Sequence, residues 1–179
     1  MIHVSEVMTT VPEVFKTELN EKIYTALTAL GIPFERVEND ETLTMEDCEA
    51  IDRQLAVHTA KTLFLCNRQK TSFYLFVTRG DKPFVTKDFS KALGISRVSF
   101  ASEEALMELL SVQPGAATLF SLLLDSAESV QAVVDSEVAA QEYVGVTDGT
   151  RTGYLKLKTA DLLRVFLPYT RHDCRVIEV

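Results

Sequence analysis

Few residues in this chain advertise chemistry by type and spacing. The three histidines, His3, His58 and His172, lack metal-ligand spacing. The three cysteines, Cys48, Cys66 and Cys174, are odd in number and unpaired in spacing, so neither a zinc site nor a disulfide framework is expected. No GxGxxG, Walker loop, GxSxG elbow, HExxH or CxxC occurs, and nothing points to a Ser-His-Asp or Cys-His arrangement. Any catalysis would then fall to backbone donors, a lysine and the substrate's own groups rather than to a strong protein base, a metal or a cofactor. The stretch that stands out is Gln113 to Phe120, QPGAATLF, where an amphipathic helix, SEEALMELLSV, gives way to small residues that bury little. It is either a tight corner or a place where the backbone itself touches a ligand.

Such groups are positioned by elements that alternate along the chain. Apolar side chains at helical spacing (Ile23, Ala26, Leu27, Leu30) predict a helix over Leu19 to Leu30, stopped by Gly31-Ile32-Pro33. A short strand, Phe34 to Val37, follows. Thr44-Met45-Glu46-Asp47 has the pattern of a capped helix start, and that helix runs to about Leu55. Thr62 to Cys66 and Ser72 to Thr78, nearly continuous in Leu, Phe, Tyr and Val, read as a hairpin at the centre of a sheet. Arg79-Gly80-Asp81-Lys82-Pro83 is a turn by composition, and its RGD tripeptide is a coincidence in a chain without a secretory signal. Next come a short helix, Lys87 to Leu93, a strand, Val98 to Phe100, and a helix capped by Ser102. Strands at about Phe120 to Leu124, Val130 to Val134 and Leu155 to Leu157 precede a last helix, capped by Thr159 and running through Phe166, and a closing strand, Val176 to Val179. The class is α/β or α+β: a single domain over residues 1–179, a mixed β-sheet flanked by helices, with residues 1–18 as an N-terminal extension.

The chain's 179 residues are enough to bury one sizeable core, and 46% hydrophobic with 25% charged residues is ordinary for a soluble domain. The first residues lack the basic and apolar regions of a leader, and no apolar run is long enough to span a bilayer, so a cytoplasmic protein is expected. The net charge of −8 argues against broad contact with nucleic acid. Its distribution argues the other way: from Arg53 to Arg97 nine basic residues meet two acidic ones, a local +7 against −15 for the rest. That asymmetry suits contact with a short piece of phosphate backbone, and it equally suits a solvated lysine-rich surface.

Five segments, HTAKTLFLCNR, FYLFVTRGDKP, SRVSFASEEALMELLSVQPGAATLF, SVQAVVDSEV and KTADLL, in that order, resemble the bacterial prolyl-tRNA editing proteins of the YbaK/ProX type. These are freestanding relatives of the editing domain inserted in bacterial prolyl-tRNA synthetase. The similarity runs from about residue 20 to the end of the chain, and a collinear run of motifs is more specific than any one of them. The resemblance implies the YbaK/prolyl-tRNA synthetase-associated domain fold, a single α/β domain. It also implies hydrolysis of a wrongly attached amino acid from transfer RNA, most often alanine from proline tRNA. The implied partners are the tRNA acceptor end and an aminoacyl-tRNA synthetase, with no DNA, membrane or cofactor.

By the same resemblance Lys61 takes the place of the family's functional lysine, where an ammonium neutralises a phosphate of the CCA end or polarises the ester. Thr62 replaces an asparagine that often follows it. The family's Gly-x-x-x-Pro loop falls on Gly115 to Leu119, which puts Gly115, Ala116, Ala117, Thr118 and Leu119 at the substrate pocket, with amides free for a developing oxyanion. Two positions depart from the pattern: Leu119 stands where the family usually has proline, and Thr147 where relatives commonly carry a histidine. On spacing alone, Lys61 is a strand-end lysine reaching solvent and Pro114-Gly115 a helix stop. Two functions stay open. One is a trans-acting deacylase centred on Lys61 and Gly115, with Thr62, Ala116, Ala117, Thr118, Leu119 and Thr147 binding substrate. The other is a binding or regulatory module that keeps the fold and the RNA-facing charge without hydrolysis.

Overall fold

Two threonines start the first helices. In the computed structural model, which describes the backbone of residues 1–179 and every side chain except that of Met45, Thr17 caps α1 (Glu18–Ala29) by accepting the Asn20 amide at 3.0 Å. After β1 (Glu35–Glu38), Thr44 caps α2 (Met45–Leu55) in a reciprocal box: its hydroxyl accepts from the Asp47 amide, and the Asp47 carboxylate accepts from the Leu43 and Thr44 amides at 2.8 and 2.9 Å. Those backbone donors, Leu43 first, hold the Asp47 carboxyl below its ordinary range.

The hairpin follows as β2 (Ala60–Asn67) and β3 (Phe73–Arg79), then α3 (Thr86–Leu93), β4 (Val98–Phe100) and α4 (Glu103–Ala105), which widens into a π-helical turn over Leu106–Leu110. Beyond the QPGAATLF loop lie β5 (Gln131–Asp135), α5 (Ser136–Ala139), β6 (Tyr143–Thr147) and β7 (Gly153–Lys158). Then α6 (Thr159–Asp161), a π-helical stretch at Leu162–Phe166 and α7 (Leu167–Tyr169) run on to β8 (Cys174–Ile177).

The strands form two sheets. The larger is mixed, in the order β4-β2-β3-β5-β8: the β4-β2 and β2-β3 pairs are antiparallel, the β3-β5 and β5-β8 pairs parallel. The smaller, β1-β7-β6, is antiparallel, and residues ahead of α1 lie along its β1 edge through Val4–Asn39 and Met8–Arg36 bridges. A parallel bridge from Thr59 to Gly145 joins the sheets just before β2.

Side-chain alternation explains why the hairpin is apolar throughout. Phe64, Leu75, Val77, Ala132 and Val134 face the main core under α1, while Leu65, Tyr74, Phe76 and Val133 face a second core closed by Phe89 and Leu93 of α3. A third cluster, Val37, Ile51, Leu55 and Tyr154, seats α2 on the small sheet.

Two expectations are corrected. The run Phe120 to Leu124 is not a strand but a 3-10 helix, Leu119–Leu123, because Thr118 caps it by accepting the Phe120 amide at 3.2 Å and Phe120 packs edge-on against Phe166. A short apolar run buried all round has no period to separate the two forms. Thr159 is not the last helix's cap: Lys158 holds that position, and the Thr159 amide goes to the Glu142 carbonyl at 3.0 Å. β6, which no local sequence signal marks, is a largely buried strand whose last residue is Thr147.

Candidate active site

The junction of the two sheets is built around Thr59. A Cβ on Gly145 would lie 2.9 Å from both Thr59 Cγ2 and Val57 Cγ1, and one on Gly80 would lie 2.8 Å from the Thr59 carbonyl oxygen. Only glycine at both positions lets the chain pass this closely. Above the junction a cavity of about 680 Å³ is enclosed by α2, the start of β2, the turn after β3, the loop carrying Gly115 and Ala117, and the facing ends of β6 and β7. A second cavity, about 700 Å³ beside β8 and the final helix, contains none of the candidate site residues read from sequence.

Of those residues, Lys61, Thr62, Gly115, Ala117 and Thr147 line the first cavity together. Ala116, Thr118 and Leu119 do not. All three are buried: Ala116 and Leu119 belong to the main core, and the Thr118 hydroxyl is spent on the cap of the 3-10 helix. The loop therefore meets the cavity through alternate residues only. Its Ala116 amide closes a turn onto the Gln113 carbonyl at 3.0 Å, and Gly115, at φ +87°, takes the left-handed conformation that turn requires. Among the described residues, the amides of Gly115 and Ala117 donate no hydrogen bond within the protein. Arg151, paired with Glu41 at 3.0 Å, backs the loop at Gly115.

Lys61 shares the face of Leu63 and Leu65 and donates from Nζ to the Lys82 carbonyl. Burial lowers its pKa, partly offset by the charge of Asp81. Among the described residues it is in no ion pair. The turn that supplies its acceptor is anchored from below. Fully buried Asp135 accepts from the Thr78 hydroxyl (2.7 Å), Lys82 Nζ (2.9 Å) and the Glu137 amide (3.0 Å). Burial opposes ionisation of Asp135, but these donors outweigh it and hold the carboxyl below its usual range. Arg79 clamps Asp81 through two hydrogen bonds, 3.0 and 2.7 Å, and reaches Glu137 at 3.2 Å. The RGD tripeptide thus closes on itself.

On the opposite wall Thr147 donates to the Thr150 carbonyl within its own turn. Next to it the buried Asp148 carboxylate accepts from the Thr150 amide and hydroxyl and from the Tyr24 hydroxyl at 3.1 Å, fixing the turn to α1. Burial, and then the Asp148 charge, raise the Tyr24 pKa and keep the phenol a donor.

The sequence reading did not include Cys48, Asp52, His58, Asp81, Val138 or Tyr154 among the site residues, though all line the cavity. Burial, then Asp52 and Asp47, raise the Cys48 pKa, so this sulfur is a thiol rather than a poised nucleophile. Among the described residues no three His, Cys, Asp or Glu side chains could share a metal ion. The basic segment is not one patch. Arg68 and Lys70 sit beyond the far end of β2, about 20 Å from Lys61 at strand rise, and Arg53 and Arg79 at the cavity face Glu49, Asp81 and Glu137.

This mixed α/β fold has solved members. One crystal structure, of a hypothetical protein, superposes with a TM-score of 0.67 at 18% identity, covering 87% of this chain and 98% of the other. A second, described as a candidate trans-editing enzyme for prolyl tRNA synthetase, gives 0.64 at 15% identity over 91% and 98%. The chain belongs to the aminoacyl-tRNA editing domain family, whose profile matches residues 39–165. Among curated relatives it is 27% identical to the prolyl-tRNA editing protein ProX of Acetoanaerobium sticklandii, over 83% of this chain and 90% of that protein. It is 32% identical to the mouse prolyl-tRNA synthetase associated domain-containing protein 1, over 88% and 94%. No helix is long and apolar enough to cross a membrane, among the described residues.

Proposed function

We propose that this protein is a trans-acting aminoacyl-tRNA deacylase that removes a mischarged amino acid, alanine foremost, from proline tRNA in the cytoplasm. The observation that carries this reading is that one cavity is lined by Lys61, whose ammonium is in no ion pair among the described residues, and by Gly115 and Ala117, whose amides donate no hydrogen bond among them. Attack of water on the ester places negative charge on the carbonyl oxygen. Amides held on a fixed turn stabilise that charge without reorganisation, each worth roughly 3 kcal/mol in comparable sites. Lys61, seated on the Lys82 carbonyl, meets a phosphate of the CCA end, and the terminal ribose hydroxyl assists the departing oxygen. Leu63, Val138 and Ala117 give the amino-acid side chain an apolar wall, where one methylene discriminates by about 1–3 kcal/mol. Thr62 and Thr147 complete the binding surface, and Leu119 acts only through the core beneath it.

The test is release of amino acid from proline tRNA charged with alanine, serine or cysteine. The expectation is hydrolysis by wild type and a loss of at least about 10²-fold in kcat/KM for Lys61→Ala. A non-catalytic tRNA- or synthetase-binding role is the second reading, favoured by Thr147, whose hydroxyl turns back into its own loop. Binding of all three tRNAs with release from none would select it.

A further inference from the structure

The cavity contains one imidazole among the described residues, and the fold brings it over a carboxylate. α2 ends at Ala56 in the left-handed conformation (φ 49°), and the Val57 amide turns back to the Asp52 carbonyl at 3.2 Å. This reversal lays residues 57–59 across the last turn of α2. Asp52 Oδ1 accepts from the Thr59 amide at 2.9 Å, while Asp52 Oδ2 lies 3.8 Å from His58 Nδ1. The backbone beneath the ring is fixed: the His58 carbonyl accepts from the Gly145 amide at 3.4 Å, and Thr59 is wedged between Gly80 and Gly145. His58 lines the same cavity as Lys61, Gly115 and Ala117, and its exposed ring is free to turn Nε2 toward an ester bound there.

We propose that His58, oriented by Asp52, is the base that activates water in the hydrolysis assigned to this cavity, an inference that rests on the deacylase reading. The water oxygen bonds to the ester carbonyl carbon as one water proton passes to His58 Nε2. The tetrahedral intermediate then collapses, the bond between that carbon and the ribose oxygen breaks, and the proton moves from Nε2 to the ribose oxygen. Amino acid and tRNA leave with His58 neutral again. Asp52 is a positioning residue that touches no substrate. The charged groups that line the cavity with His58 are Glu49, Asp52 and Arg53 from α2, Lys61 from β2, Arg79 at the end of β3, and Asp81 from the turn after it.

The test measures kcat and KM between pH 5 and 8.5 on alanine-charged proline tRNA for wild type, His58→Gln and Asp52→Asn. General base catalysis contributes about 10²–10⁴-fold, so His58→Gln should lose at least about 10²-fold in kcat with KM within about twofold. Wild-type kcat should show an acid limb that vanishes in His58→Gln. Asp52→Asn should keep the limb and lose roughly 10-fold. An active wild type together with a His58→Gln variant that retains kcat and the acid limb overturns this proposal and leaves the deacylase reading standing. A wild type that releases no amino acid from any mischarged tRNA overturns both. The His58 side chain is 90% exposed, so an unchanged melting temperature separates loss of chemistry from loss of fold.

Discussion

The two walls that carry charge into the cavity are built in opposite ways. On the β3 side, Asp135 is fully buried and holds three donors, and through Lys82 it fixes the carbonyl on which Lys61 rests. On the α2 side, Asp52 keeps one oxygen on a backbone amide and offers the other, across 3.8 Å, to an exposed imidazole. The first arrangement holds a charge at one point, as a group that must meet a phosphate or a developing charge requires. The second leaves a ring free to move with a proton. Rigid electrostatics and mobile proton transfer are thus assigned to different elements.

The largest effect should come from breaking the rigid wall. Asp135→Ala leaves the Lys82 ammonium, which is 21% exposed, beside an empty carboxylate position, and should cost about 3–5 kcal/mol. The Lys61 seat should loosen with it. The pH dependence has a definite sign: the folded-state pKa of Asp135 is depressed, so its contribution is complete above the unfolded value of about 3.9 and is lost as pH falls through the lower folded value. Urea unfolding at pH 7 and pH 3 checks this. The wild type should lose stability between the two, and the variant should lose less. Equal losses would show that Asp135 carries no linked stability.

A smaller effect is expected where the two walls meet. Gly145→Ala drives a methyl to within 2.9 Å of Thr59 and Val57, an overpacking worth about 1–3 kcal/mol. Since Thr59 is held by Asp52, relief of the clash should displace the His58 segment more than the Asp135 turn. Activity should therefore fall further than stability predicts. A variant that loses stability with full kcat would show that the two walls are not joined through Thr59.

How much of this was legible in the sequence follows from periodicity. Thr44, Ser102 and the hairpin runs were readable because caps and continuous β-branched and aromatic stretches are local signals. The Leu119–Leu123 helix was not, because burial on all sides erases the alternation that separates helix from strand. For the cavity, Lys61, Thr62 and the Gly115 loop were reached through resemblance, and the geometry then divided the loop, leaving Gly115 and Ala117 at the cavity and Leu119 in the core. His58 and Asp52 were missed. Their meeting depends on a left-handed reversal at Ala56, a residue type that gives no sign of it. The run of nine basic residues fitted two readings, and the structure divides it, because the hairpin sets its turn, with Arg68 and Lys70, far from its open end at Lys61.

The smallest expected effect is also the finest probe of the rigid wall. Arg79 is exposed and holds Asp81 through two hydrogen bonds, which keep the Asp81 carboxyl below its ordinary range. Exposed pairs contribute little to stability, so Arg79→Ala should leave the melting temperature nearly unchanged. The released Asp81 carboxylate then has Lys61 as an alternative partner, since its charge already acts on that ammonium. An ammonium neutralised in this way binds phosphate less well, and KM for charged tRNA should rise by a few-fold, roughly 3 to 10, with kcat kept. Raising the salt concentration should narrow the gap between variant and wild type, because it screens exposed charges. If kcat falls instead and KM holds, Lys61 acts on the ester rather than on the phosphate, and the rigid wall belongs to the chemical step rather than to binding.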